Sequence, residues 1–218
     1  MVTFEEIKKN ADINTYITKA DESLKALGFT EHSFAHVGIV AKNAEYILRT
    51  LGYDEHEIEL AKIAAYLHDI GNIVNRSEHS QSGAVMAFRI LTNLDMEAED
   101  IATIITAIGN HDEGTGVPVN AVAAALILAD KSDVRRSRVR NSDITTFDIH
   151  DRVNYSVESS KLVLGEDKNI TLMLTINTEY SAVMDYFEIF LGRMIMCRKA
   201  ADKLGLKFRL VINNQVLI

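Results

Sequence analysis

The residues of this chain that can do chemistry are its histidines and aspartates. There are seven histidines and a single cysteine, Cys197. One thiol makes no intrachain disulfide and no cysteine-rich zinc module, so a metal here must be held by imidazole and carboxylate. His68-Asp69 is an adjacent pair at the end of an apolar helical pattern, just before Gly71. Neighbours on a helix point about 100° apart, so both can reach one ion only near a helix end. His36 sits one turn before Val40 and borders the buried face of the preceding helical pattern. Asp130 closes the apolar run that starts at Ala121, where a carboxylate needs a partner and a cation is the simplest one. Each residue alone is an ordinary core or surface group. The order His, His-Asp, Asp on three helical patterns points to a metal. Ligands of this kind suit Mn, Fe, Co, Ni or Zn, and Mg is not distinguished from them.

A second set of groups follows directly. The stretch from Lys131 to Arg140 carries five bases and one acid, on a chain whose formal net charge is −8. That balance argues against a nucleic-acid polymer as partner, while a local basic segment suits a small anionic ligand. Lys131 comes immediately after Asp130, and Arg135, Arg136 and Arg138 occupy the next turns. An anion held beside a metal calls for a cation that is not itself a metal ligand. Lys131 is therefore the first candidate for a catalytic cation and also for substrate binding, with Arg135 and Arg138 as further substrate-binding groups. Asp112 or Glu113, in the loop after His111, can assist proton transfer or simply cap the loop.

These residues need helices to position them. The chain has 218 residues and only one proline, Pro118. Proline marks turns and edge strands, so its scarcity favours helices with short connections. Apolar spacing predicts helices over 34–51, 55–69, 78–94 and 95–110, with Ser77 as an N-cap and Gly71 as a C-cap. Pro118 is placed as the first residue of the next helix, which runs to Asp130. Beyond 150 the pattern changes: Ile170, Leu172, Leu174 and Ile176 alternate with polar or smaller residues, and residues 153–164 are β-branched and apolar. A long helix over 179–204 and a strand over 206–213 complete a β-β-α-β order. The expectation is a mainly α chain: a helical domain over 1–150, with a small α+β subdomain over 151–218 packed on it. No run approaches the ~18 apolar residues of a membrane span, and with no disulfide to form the chain suits a reducing cytoplasm. Cys197 reads as a core thiol, and His32 as exposed at a helix start.

His36, His68-Asp69 and Asp130, within the wording His68-Asp-Ile-Gly71 and Ala129-Asp130, resemble the HD superfamily of metal-dependent phosphohydrolases. The resemblance covers roughly residues 15–140 and implies an HD-type helical bundle. It implies a divalent ion on His36, His68, Asp69 and Asp130, with Asp69 also catalytic. Binuclear members, including the HD-GYP branch, carry two further histidines, which His79 (in His79-Ser-Gln-Ser-Gly83) and His111 match. One or two ions are therefore expected. The chain departs from that branch at Asn72, Asn110 and Val117, which stand in place of lysine, histidine and tyrosine and count against cyclic-di-GMP. The implied reaction is hydrolysis of a phosphomonoester or phosphodiester, in a nucleotide or related small molecule. Two other readings remain. A six-ligand set in this fold also resembles di-iron oxygenases of the myo-inositol oxygenase type. The chain can also be a non-catalytic ligand-binding or dimerisation module, and a homodimer stays open.

Overall fold

The computed structural model describes residues 2–218. Several of its helices start where short polar side chains satisfy free backbone N–H groups. Thr3 and Glu6 form a reciprocal capping box on α1 (Phe4–Lys9), and Asn10 caps α2 (Ala11–Ala26). Ser33 caps α3 (Phe34–Thr50) and Asp54 caps α4 (Glu55–Leu67). A 3-10 turn (Ile70–Ile73) leads to α5 (His79–Asn93), followed by α6 (Ala98–Gly109) and α7 (Ala121–Lys131). The chain then crosses by short turns to α8 (Ile149–Ser156), β1 (Val157–Leu164), β2 (Asn169–Ile176), α9 (Val183–Lys203), β3 (Lys207–Ile212) and β4 (Gln215–Val216).

The molecule is mainly α with a small C-terminal α+β part, as the sequence predicts. Several boundaries differ, each for a local reason. Asn120 accepts from the Ala123 N–H at 2.7 Å, so α7 starts three residues after Pro118, which lies in the loop. Ser77 is not a cap; α5 is entered through Glu78 in a left-handed conformation (φ 57°). Residues 149–156 form a helix ahead of β1, because Asp148 accepts from the Asp151 N–H and starts a turn. The sheet gains a fourth strand of two residues at the chain's end.

β1 and β2 pair antiparallel, β2 and β3 parallel across α9, and β3 and β4 antiparallel. The register sets Ile170 against Phe208, Leu172 against Leu210 and Leu174 against Ile212, so one face is continuously apolar. α9 packs on both β3 and α7, with Tyr186, Phe190, Met194, Cys197 and Ala200 among its buried residues. Val153, Phe190 and Met194 therefore share one core with the helical bundle. Each large apolar side chain buried there contributes about 1.5–3 kcal/mol. α7 is the central helix, buried from Val122 to Ala129. No helix among the described residues is long and apolar enough to cross a membrane.

Candidate metal centre

α4 stops at Leu67, and His68 occupies its C-cap position. The backbone leaves helical geometry at Asp69 (φ −98°, ψ 0°), so these adjacent side chains can reach one point. Gly71 does not cap the helix. It lets α5 lie directly on the 3-10 turn: a Cβ there would meet the His79 carbonyl at 2.0 Å and the Gly83 amide at 2.5 Å. That approach delivers His79, the first residue of α5. His111 follows α6, His36 comes from α3, and Asp130 is the penultimate residue of α7.

Four histidines spend Nδ1 in the same way. His68 Nδ1 donates to the Ala65 carbonyl at 2.7 Å, His79 to Arg76 at 3.1 Å and His111 to Ile108 at 2.6 Å. His36 Nδ1 donates to Asp133 Oδ2 at 2.7 Å. A carbonyl only accepts, so the proton sits on Nδ1 and the Nε2 lone pair is left for an ion. Those Nε2 atoms converge on Asp69. Its Oδ2 lies 3.5 Å from His36 and 3.1 Å from His68, while its Oδ1 lies 3.5 Å from His79 and 4.0 Å from His111. Asp130 Oδ1 stands 3.3 Å from His36 Nε2 and 3.7 Å from His68 Nε2. Asn72 donates to Asp69 Oδ1 at 2.9 Å and fixes the carboxylate plane.

The donor set fits a divalent cation. His36 and His68 are fully buried, and their Nε2 atoms have no hydrogen-bond partner among the described residues. His79 and His111 face each other with Nε2 atoms 3.1 Å apart. Burial lowers both their pKa values, that of His111 to about 3, so neither carries a proton to bridge the gap. Two buried lone pairs so placed suit a positive charge, and Arg76 Nη1 already stands 3.4 Å from His79 Nε2. At His68 burial disfavours the charged form, but Asp69 and Asp130 outweigh it and raise the pKa. Asp69 itself is held well below the usual carboxylate range, since its histidine neighbours outweigh the effect of burial. Ligand atoms of His36, His68 and Asp130 lie within 4.8 Å of one another, as do those of His68, Asp69 and His111. Asp69 turns Oδ2 toward His36 and His68 and Oδ1 toward His79 and His111.

Four cations border this pocket without being ligands: Arg76, Lys131, Arg138 and Arg193. Lys131 is buried, with Nζ 2.8 Å from Asp130 Oδ2 and 3.2 Å from Glu113 Oε1. Burial opposes its charge, but those two carboxylates raise its pKa, so it stays protonated. Glu113 also takes Arg193 Nε at 2.7 Å, and against the effect of burial the two cations pull its pKa down to about 2. Glu113 is therefore an ionised clamp for cations and no proton donor near neutral pH. Arg138 spends Nε on the Glu31 carbonyl at 2.9 Å and Nη1 on the Asp133 carbonyl at 2.8 Å, leaving Nη2 for the pocket. Arg135 does not line the pocket. Its three nitrogens are held by Asp133 at 2.9 Å, Ser137 at 2.7 Å and Glu31 at 2.6 Å.

Four residues of this site escape the sequence reading. Asp133 orients His36, and the one signal for it is that it is the only acid within the basic segment. Arg76 follows the 3-10 turn, donating to Asn72 Oδ1 at 3.2 Å. Arg193 comes from α9, more than sixty residues beyond Asp130, and no local pattern marks it. His32 is half-buried rather than exposed. The Glu31 N–H donates to the Arg138 carbonyl at 2.8 Å and pins that loop over the pocket, with the His32 ring 5.5 Å from that of His36.

Comparison with known proteins gives three findings. The HD domain family model matches residues 33–151. An uncharacterized protein of Methanocaldococcus jannaschii, MJ1020, is 28% identical over 199 residues, covering 81% of this chain and 76% of its own length. A crystal structure of a predicted HD superfamily hydrolase from an uncultured Thermotogales bacterium is 24% identical, with a TM-score of 0.46. It covers 62% of this chain and 75% of that one.

Proposed function

The chain belongs to the HD domain family, and from that premise we propose that it is a divalent-metal-dependent phosphohydrolase acting on a small phosphorylated molecule. One observation carries the reading: four buried Nε2 atoms and two carboxylates converge where four non-ligand cations border the same pocket. His36, His68, Asp69 and Asp130 would hold one ion, and His79 and His111 a second across Asp69. A divalent ion there supplies Lewis acidity, neutralising phosphoryl charge and lowering the pKa of water.

The chain's own groups do the rest. Asp69 stays ionised and is held in orientation by Asn72, and its carboxylate would serve as a ligand. Lys131, kept protonated by Asp130 and Glu113, sets a fixed positive charge beside the metal ligands. Arg76, Arg138 and Arg193 have guanidinium nitrogens left for phosphoryl oxygens, and planar guanidinium suits that contact. His32 gives its Nδ1 proton to the Thr30 carbonyl at 2.7 Å, which leaves Nε2 unprotonated at the pocket's edge. The crowd of cations favours an anionic phosphoester over the uncharged substrate of an oxygenase.

The test is metal analysis of protein purified without chelator, followed by anaerobic assay on p-nitrophenyl phosphate with added Mn. Asp69→Ala is expected to lose both bound metal and hydrolysis. Retention of both would sink the site assignment, and iron-dependent oxygen uptake without phosphate release would sink the reaction class.

A further inference from the structure

A second cavity, about 200 Å³ in volume, adjoins the metal pocket, and the two share His32, Arg76, Arg138 and Arg193. Its walls are chemically unlike. Toward the metal pocket lie the three guanidiniums, two of them seated on aromatic rings. Arg76 stands 5.7 Å from the Phe29 ring centroid and Arg193 4.3 Å from that of Phe190. Each ring supports its guanidinium and limits the directions it can take.

The far wall is one face of α8 and its cap, where Asp148, Asp151 and Asn154 recur every three residues. Each spends one polar atom within the protein. Asp148 Oδ1 accepts from the Asp151 N–H at 2.8 Å, and Asp151 Oδ2 accepts from Asn141 Nδ2 at 3.3 Å. Asn154 Nδ2 donates to the His150 carbonyl at 2.9 Å. Asp148 Oδ2, Asp151 Oδ1 and Asn154 Oδ1 accept no hydrogen bond from the described residues. Asn154 is only 5% exposed and lines the cavity. His150 lines the same side, and Asp148 is exposed at its rim; the two carboxylates disfavour phosphate there and suit donors, while the arginine neck suits phosphate. The volume is below the roughly 300–1,000 Å³ of sites for drug-sized ligands, so it holds one sugar-sized group and no dinucleotide.

We propose that this cavity is the alcohol subsite of the reaction and takes a polyhydroxylated, sugar-sized group esterified to phosphate. Its hydroxyls donate to Asp148, Asp151 and Asn154, and its phosphate oxygens meet Arg76, Arg138 and Arg193 at the neck. This rests on the phosphohydrolase reading and narrows it to a phosphomonoester. In the reaction a water oxygen bonds to phosphorus, the bond from phosphorus to the alcohol oxygen breaks, and one water proton ends on the leaving alcohol. The products are the free polyol and inorganic phosphate. Two sources share this chemistry, a sugar phosphate and the ribose of a nucleoside monophosphate.

The experiment is calorimetric binding of non-hydrolysable phosphonates to the protein as purified. The phosphonate analogue of ribose 5-phosphate is expected to bind at least tenfold tighter than methylphosphonate, which has the anion but no hydroxyls. Tighter binding still of the analogue of adenosine monophosphate assigns a nucleotide source, and no further gain assigns a sugar phosphate. Asp148→Asn with Asp151→Asn keeps volume and the α8 cap, since asparagine caps as well as aspartate, but turns open acceptors into donors. The ratio of the ribose analogue's affinity to that of methylphosphonate should fall at least tenfold, the scale of a hydrogen bond to a charged acceptor. Asp151→Asn alone leaves the cap untouched and should lower the ratio severalfold. Equal binding of the ribose analogue and methylphosphonate, preference for 2-aminoethylphosphonate, or a ratio unmoved in both variants would overturn the subsite. Ribose discrimination without hydrolysis of any phosphoester under any metal would instead refute the phosphohydrolase reading and leave the cavity assignment standing.

Discussion

Asp133 is not expected to touch an ion, yet the bound metal should respond strongly to its removal. It is 5% exposed, and both its oxygens accept: Oδ2 from His36 Nδ1 at 2.7 Å and Oδ1 from Arg135 Nε at 2.9 Å. His36 Nδ1 has no other partner among the described residues, whereas Arg135 also holds Glu31 and Ser137. Asp133→Ala therefore leaves a buried N–H unpaired and frees the imidazole to turn. Loss of such an orienting group typically costs about 10–100-fold in metal affinity, or roughly 1.4–2.7 kcal/mol. Asp133→Asn should recover most of that loss. One amide oxygen suffices for His36, and Arg135 can fall back on its remaining partners. Competition of a chromophoric chelator for Mn or Zn, with circular dichroism to confirm folding, measures both variants. Metal affinity within twofold of the wild type in Asp133→Ala would refute the orienting role. A folded Asp133→Asn as weak as Asp133→Ala would show that charge, and not orientation, is what His36 needs.

Other regions of the structure give further expectations. Gly71→Ala places a Cβ 2.0 Å from a backbone carbonyl of α5, where no flexible side chain can give way, so it should destabilise by at least about 1–3 kcal/mol in urea unfolding; an unchanged midpoint refutes the close approach. Glu113 is held near a pKa of about 2, against the usual 4.5, by Lys131 and Arg193. Its stabilising contribution is present above pH 4.5 and lost as pH falls through about 2. Glu113→Gln should thus be clearly less stable than the wild type at pH 6, with the gap closing toward pH 2; a gap independent of pH would contradict the ion-pair clamp. Cys197 is buried and its thiol is pushed up to about 12, chiefly by that burial, so a disulfide reagent should label it only as fast as the chain unfolds. Immediate stoichiometric labelling of native protein would contradict its place in the core.

Sequence alone determined the mainly helical character, the β-β-α-β order of the C-terminal part and the candidate groups His36, His68, Asp69 and Asp130. Helical periodicity and the position of a polar residue at the end of an apolar run are local properties, and they survive into any fold the chain adopts. That is why His36, His68-Asp69 and Asp130 could be named from spacing, and why the alternation from Ile170 to Ile176 marked a strand. Boundaries were less legible, because caps compete. Asn120 rather than Pro118 begins α7, and Asp148 turns residues predicted as strand into α8. The tertiary structure alone decided the hydrogen-bond partners and the outer pocket. Arg135 and Arg138 are three residues apart in one basic segment, yet Glu31, Ser137 and Asp133 hold the first away from the pocket while the second lines it. Arg193 and Asn154 reach the site only because α8 and α9 pack against the bundle. A basic residue's sequence context sets its charge; which acceptors exhaust its nitrogens depends on chain segments a hundred residues away. For that reason the candidate metal ligands could be read from spacing, and the groups that would choose a substrate could not.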